Sequence, residues 1–174
     1  METQSTPSYV ITGHRQIDSQ HQELEMLIQQ LGRICEAQNR SGNSCSRCPA
    51  EYRTDCIKRL DGLLGDLLGF VVTHFAYEEK LMRQLPATPL CRRHIEEHQL
   101  AHAEVSSQLT AVTRSLDRED PKQCALRLQN VVSAWMGAHM CNFDVQLAGK
   151  LEDVIDTELA YDIKLAELLQ KGSG

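Results

Sequence analysis

Residues 57–85, IKRLDGLLGDLLGFVVTHFAYEEKLMRQL, decide the fold. Ile57, Leu60, Leu64, Leu67, Val71, His74, Glu78, Leu81 and Leu85 follow one another at steps of three and four without a break. That spacing lays them along one side of an α-helix, whereas the inward positions of a strand recur every second residue. The row is apolar except at His74 and Glu78, which therefore take core positions. The two are four residues apart, so they project from one face about one turn apart.

The same alternation appears on either side. A first segment, about Asp18 to Gln38, carries Ile17, His21, Leu24, Ile28, Leu31 and Cys35 on its seam, with Asp18 placed to cap its start. A third, about Leu90 to Leu116, carries Cys91, Ile95, His98, His102, Val105, Leu109, Val112 and Leu116, which leaves His94 off the seam and exposed. A fourth runs from about Pro121, a good first-turn residue, to Leu147, with Leu128, Val132, Trp135 and His139 in register. A fifth helical stretch, Leu151 to Gln170, has apolar residues on more than one face and ends in KGSG, read as a flexible tail. The links are short or rich in Ser, Gly, Asn and Pro. The expected fold is all-α: an up-and-down antiparallel four-helix bundle over residues 1–149 with a Cys-rich insertion at about 41–56, then a C-terminal helix over 150–174.

Composition agrees. Of 174 residues 41% are apolar and only 5% aromatic, which suits one helical domain better than a sheet. Lys and Arg total 18 against 24 for Asp and Glu, and the net charge of −6 without a basic stripe argues against nucleic acid as a partner. No signal-like leader or membrane span is apparent. Seven cysteines, an odd number, fit a reducing compartment, and a cytoplasmic location is expected.

Five of the seven histidines fall on inward seams of four different segments. One such histidine is ordinarily a core residue with a hydrogen bond; five with a carboxylate have polar demands that a bound cation meets economically. His98 and His102, four apart like His74 and Glu78, can reach the same interior point. Imidazole-rich sites suit iron, copper, nickel or zinc, and five histidines exceed one ion's usual share. A second carboxylate is then expected, and Asp144 is the candidate. Five steps along an ideal helix leave it about 140° from His139, so a five-residue π-type turn is needed to realign them. Glu79, Glu96, Glu97 and Asp153 read as surface charges, and His14 as structural or solvent-facing.

IDSQHQEL at 17–24, HFAYEEKLM at 74–82, HQLAHAEV at 98–105 and HMCNFD at 139–144 together resemble the hemerythrin family, specifically its bacterial hemerythrin-like domains. The resemblance implies a four-helix bundle around a non-heme di-iron centre that binds dioxygen reversibly. By it, one iron is held by His98, His102 and His139 and the other by His21 and His74. Glu78 and Asp144 bridge them with an oxo or hydroxo group, and Leu24, Phe75 and Trp135 wall the gas pocket. Such bacterial domains are often fused to signalling modules, and the stretch after Leu151 looks like a linker to an output domain. The expected function is oxygen or redox sensing; a stand-alone oxygen carrier or iron store, or a di-iron oxidase or peroxidase, are the alternatives. No His follows a Glu by three residues, which weighs against the carboxylate-rich di-iron enzymes. Cys45, Cys48 and Cys56 have a spacing compatible with thiolate ligands of a second metal, zinc or an iron–sulfur cluster, although a fourth ligand is missing from the motif.

Overall fold

The computed structural model describes residues 10–35, 45, 48–115, 117 and 119–171, the last stretch with side chains through 157 and at 164. It is all-helical: α1 (Arg15–Gly32), α2 (Ala50–Met82), α3 (Pro89–Arg114), α4 (Pro121–His139), a π-helical turn (Met140–Asp144) and α5 (Val145–Lys171). Among the described residues there is no strand.

The helix starts are set by local chemistry. Asp120 accepts a hydrogen bond from the Gln123 N–H at 3.1 Å, and Pro121 follows at the first position of α4. Thr88 Oγ1 accepts from the Cys91 N–H at 3.2 Å ahead of Pro89 in α3. Asp18 does not cap α1. The helix begins three residues earlier, His14 Nδ1 accepts from the Ile17 N–H at 3.5 Å, and Asp18 instead takes the Thr12 N–H and Oγ1–H, both at 2.8 Å. Gly13 sits at φ +86°, a backbone conformation costly to other residues, which lets the preceding segment fold back onto Asp18. At its other end α1 stops at Gly32, short of the expected Gln38, with the Arg33 N–H reaching Gln29 O at 3.2 Å. Gln38, Leu116 and positions 41–44, 46 and 47 of the Cys-rich insertion lie outside the described residues.

No break separates the fourth helical segment from the fifth. Met140 and Val145 keep right-handed helical dihedrals, so α4, the π turn and α5 form one continuous helix from Pro121 to Lys171.

α1 packs against α2 and α4, α3 against α4 and α2, and α5 against α2. The buried apolar side chains form two separate clusters. The larger contains Leu24, Leu31, Leu67, Val105, Leu128 and Val132; the smaller contains Ile17, Leu81, Met82, Cys91, Leu147 and Leu151. Along α1 the chain meets the smaller cluster first, along α2 the larger, along α3 the smaller and along α4 the larger. On every helix the polar seam residues fall at the changeover between the two. A polar layer is thereby sealed at both ends by hydrocarbon, each fully buried leucine contributing about 1.5–3 kcal/mol to the seal.

Candidate metal centre

His21, His74, Glu78, His98, His102, His139 and Asp144 are all buried, and they meet in that layer. Glu78 Oε2 is the hub of one side. His102 Nε2 lies 3.1 Å from it, His98 Nε2 3.4 Å, His74 Nε2 3.5 Å and His139 Nε2 3.6 Å. Asp144 divides its two oxygens. Oδ2 faces His21 Nε2 at 2.9 Å, while Oδ1 faces His139 Nε2 at 3.1 Å and His98 Nε2 at 3.5 Å.

Asp144 reaches the layer because of the π turn. The Val145 N–H reaches Met140 O, a bond five residues back in place of the usual four. The extra residue restores the phase that a straight helix would lose between His139 and Asp144.

Burial and mutual contact set the charges. Burial pushes Glu78 up, yet hydrogen bonds from His102, His139 and His98 hold it well below the ordinary carboxylate range. Asp144 is likewise opposed by burial and held low by His139, His21 and His98. Burial alone would lower His139, but its bonds to Asp144 and Glu78 prevail and raise it to about 9. At His74 burial wins over the nearby carboxylates and lowers the ring to about 4; His102 also moves down, by burial. The layer thus contains two carboxylates, imidazoles kept neutral at His74 and His102, and an imidazolium at His139 whose proton a bound metal ion would have to displace.

Two groups of four donors have atoms within 4.8 Å of one another: Glu78, His98, His102 and His139, and His74, Glu78, His139 and Asp144. His21 joins through Asp144 rather than as a member of either group. Glu78 Oε1 is buried without a hydrogen-bond partner among the described residues, an unmet demand that a cation answers.

A family model described as the hemerythrin HHE cation-binding domain matches residues 12–151. The chain belongs to that family. No curated protein and no solved structure matches it. In this hemerythrin domain the five buried imidazoles and two carboxylates fit a non-heme iron site, being nitrogen-rich and closed to water.

Aromatic rings line the layer. Phe75 stacks on His102 with centroids 3.8 Å apart and planes 7° apart, and Trp135 meets Phe75 edge-on at 5.6 Å. Leu24 lies in the larger apolar cluster one turn beyond His21. Sequence reasoning passed over Phe70, stacked on His74 at 5.3 Å, and Phe143, stacked on His98 at 5.0 Å. Each stands four residues from an inward histidine, Phe70 before His74 and Phe143 after His139, and that spacing was the available signal. Gln20 was also passed over; its Oε1 lies 3.0 Å from His74 Nδ1.

His94 is buried rather than exposed, and Ile95 is only half-buried. The inward row of α3 steps through Cys91, His94, His98 and His102, so the helix turns His94 onto the same side as the two cluster histidines. Its ring lies edge-on to His98 at 5.4 Å, and it belongs to neither donor group.

The cysteine expectation is not met. Among the described residues no group of three metal donors includes Cys45, Cys48 or Cys56. The Cys56 thiol instead donates to Ile34 O at 3.7 Å. All seven cysteines are free. Among the described residues no helix is long and apolar enough to cross a membrane.

Proposed function

We propose that this hemerythrin domain holds two non-heme iron ions joined by an oxo or hydroxo group and binds dioxygen reversibly, as the oxygen- or redox-sensing unit of a bacterial signalling protein. The division of Asp144 carries the reading. Its two oxygens face different imidazoles, His21 on one side and His139 with His98 on the other, which is what a carboxylate shared by two ions requires. The family resemblance would assign His98, His102 and His139 to one iron and His21 and His74 to the other; in the structure His139 stands in both donor groups. Glu78, with one oxygen among four imidazoles and the other without a hydrogen-bond partner among the described residues, is the second shared carboxylate.

When bound, iron supplies a reversible one-electron couple and a coordination position for the gas. The chain's own task is to hold and orient the donors and to keep water away. Phe70, Phe75, Trp135 and Phe143 place hydrocarbon against the rings, and Leu24 extends the apolar wall. The alternating order in which the helices meet the two apolar clusters supports an up-and-down arrangement of α1 to α4.

Sensing is favoured over carriage or storage by the backbone under Asp144. That residue ends the π turn and leads without interruption into α5, so a change in its position is passed to a long helix and through it to an output domain. Free thiols throughout support a cytoplasmic setting. Nothing in the donor set calls for an enzyme.

The test is anaerobic reduction, iron analysis and oxygen titration followed by absorption spectra. Two iron ions per chain and spectra that return when oxygen is removed are expected. One ion, or zinc alone, defeats the di-iron assignment; oxygen consumed without return makes the domain an oxidase.

A further inference from the structure

We propose that Gln20 is the positioning residue for His74: it fixes which ring nitrogen of that histidine faces the metal layer. The inference rests on the metal-binding reading above and concerns a residue outside the seven donors.

Gln20 is buried on α1, immediately before His21, and His74 is buried on α2. The 3.0 Å contact between Gln20 Oε1 and His74 Nδ1 crosses from one helix to the other. An amide oxygen accepts and cannot donate, so the Nδ1 atom it faces carries the proton. The neutral ring has only one proton, so Nε2 presents its lone pair to the layer, 3.5 Å from Glu78 Oε2. Were the amide turned around, its NH₂ would donate to Nδ1, Nε2 would carry the hydrogen, and His74 would have no lone pair for a metal.

The support sets His74 apart from His98, His102 and His139. Nδ1 of His98 and of His139 has no hydrogen-bond partner among the described residues, and Nδ1 of His102 is 3.7 Å from the nearest Glu79 oxygen. Histidine ligands ordinarily gain orientation and basicity from such an outer hydrogen bond. The support is also close to solvent. Gln20 and Phe70, which both touch His74, line a groove of about 520 Å³ between α1 and α2 whose walls include Glu23, Asp66 and Thr73. Loss of the amide leaves Nδ1 facing that groove, where water competes for it and the tautomer is no longer held.

The experiment compares the full chain with Gln20→Leu, which keeps the bulk and removes the acceptor, and Gln20→Glu, which keeps an acceptor. Iron(II) is titrated anaerobically against a chromophoric chelator, and histidine ¹⁵N spectra are recorded on metal-free protein. Gln20→Leu should weaken one of the two iron equivalents by about 10–100-fold and leave the other unchanged. It should also shift the His74 signal from one tautomer to a mixture, and Gln20→Glu should restore both. Parent-like affinity for both equivalents with an unchanged His74 tautomer in Gln20→Leu overturns the proposal. Should Gln20→Leu not fold, Gln20→Ala and Gln20→Glu decide: the alanine variant should weaken one iron equivalent and mix the His74 tautomers while the glutamate variant keeps both as in the parent, and identical behaviour of the two overturns it. If the parent takes up no iron at all, the metal reading fails while the tautomer measurement still judges Gln20.

Discussion

His139 and Asp144 are five residues apart, yet His139 Nε2 and Asp144 Oδ1 meet at 3.1 Å because the backbone between them is a π turn. The relation is sharper than a bent helix. A π turn inside an α-helix amounts to one inserted residue, and the strand of side chains on either side keeps its phase. His139 and Asp144 therefore occupy the places of an i, i+4 pair on an ordinary helix, like His74 with Glu78 and His98 with His102.

That equivalence predicts an asymmetry. Deleting the exposed Cys141 should convert the turn to α-helix, keep the carboxylate on the layer and leave iron loading at about the parent level, with equal or greater thermal stability. Inserting one alanine after Cys141 should rotate Asp144 by about 100° and cost at least one iron equivalent. Iron analysis and melting curves of the two variants check this; equal loss in both would show that the turn itself, and not the phase it restores, is required.

His74→Ala and His102→Ala should each lower iron content to one equivalent or less and lower the melting temperature of the loaded protein. Ligand binding is part of folding free energy here, because the donors come from separate helices. The control is chelation. Stripped of metal, parent and variants should unfold within a few degrees of each other, and a large difference that survives chelation assigns these rings to packing.

The helices and most of the layer were legible because burial on a helix leaves a three-four signature, and α2 from Leu60 to Leu81 carries it almost without interruption. The need for a π turn was legible too, as a phase error at Asp144. His94 was misread because a seam followed by steps of three and four allows either His94 or Ile95 after Cys91, and strict alternation counted back from Leu116 lands on the isoleucine. Only packing against His98 and Phe143 settles that choice. Asp18 was misread because a cap and a first-turn acid differ by a few residues, and the turn at Gly13 that claims its carboxylate has no periodic signal. Gln20 carried no signal at all, since a lone glutamine beside an inward histidine reads as surface.

Thiol reactivity should follow exposure and ease of ionisation together. Cys141 is exposed, whereas Cys35 is pushed up to about 12 by burial and then by the adjoining Cys56 and Cys45. At pH 8 a thiol with that value is ionised to about one part in ten thousand, and thiolate is the reacting species. Native protein treated with iodoacetamide should label Cys141 first, with Cys48 next and Cys35 and Cys124 slowest, as peptide masses will show. Fast labelling of Cys35 would mean that the end of α1 opens in solution.

His94 gives a pH dependence with a definite sign. Burial, then the neighbouring His98 and Lys150, lower its ring from 6.5 to about 4 in the folded chain, and its Nε2 has no hydrogen-bond partner among the described residues. Between pH 6.5 and 4 the unfolded chain therefore binds a proton that the folded chain does not. Stability is full above that window and falls as the pH drops through it, by up to about 1.4 kcal/mol per pH unit from one group. His94→Leu removes the group and a buried polar atom together. Metal-free His94→Leu should match or exceed the parent at pH 7, and its advantage in urea midpoint should widen toward pH 4.5. Iron loading should be unaffected, since His94 stands in neither donor group. A variant that loses iron would place His94 among the ligands, and parallel acid sensitivity in the two proteins would show that the ring is already solvated in the fold.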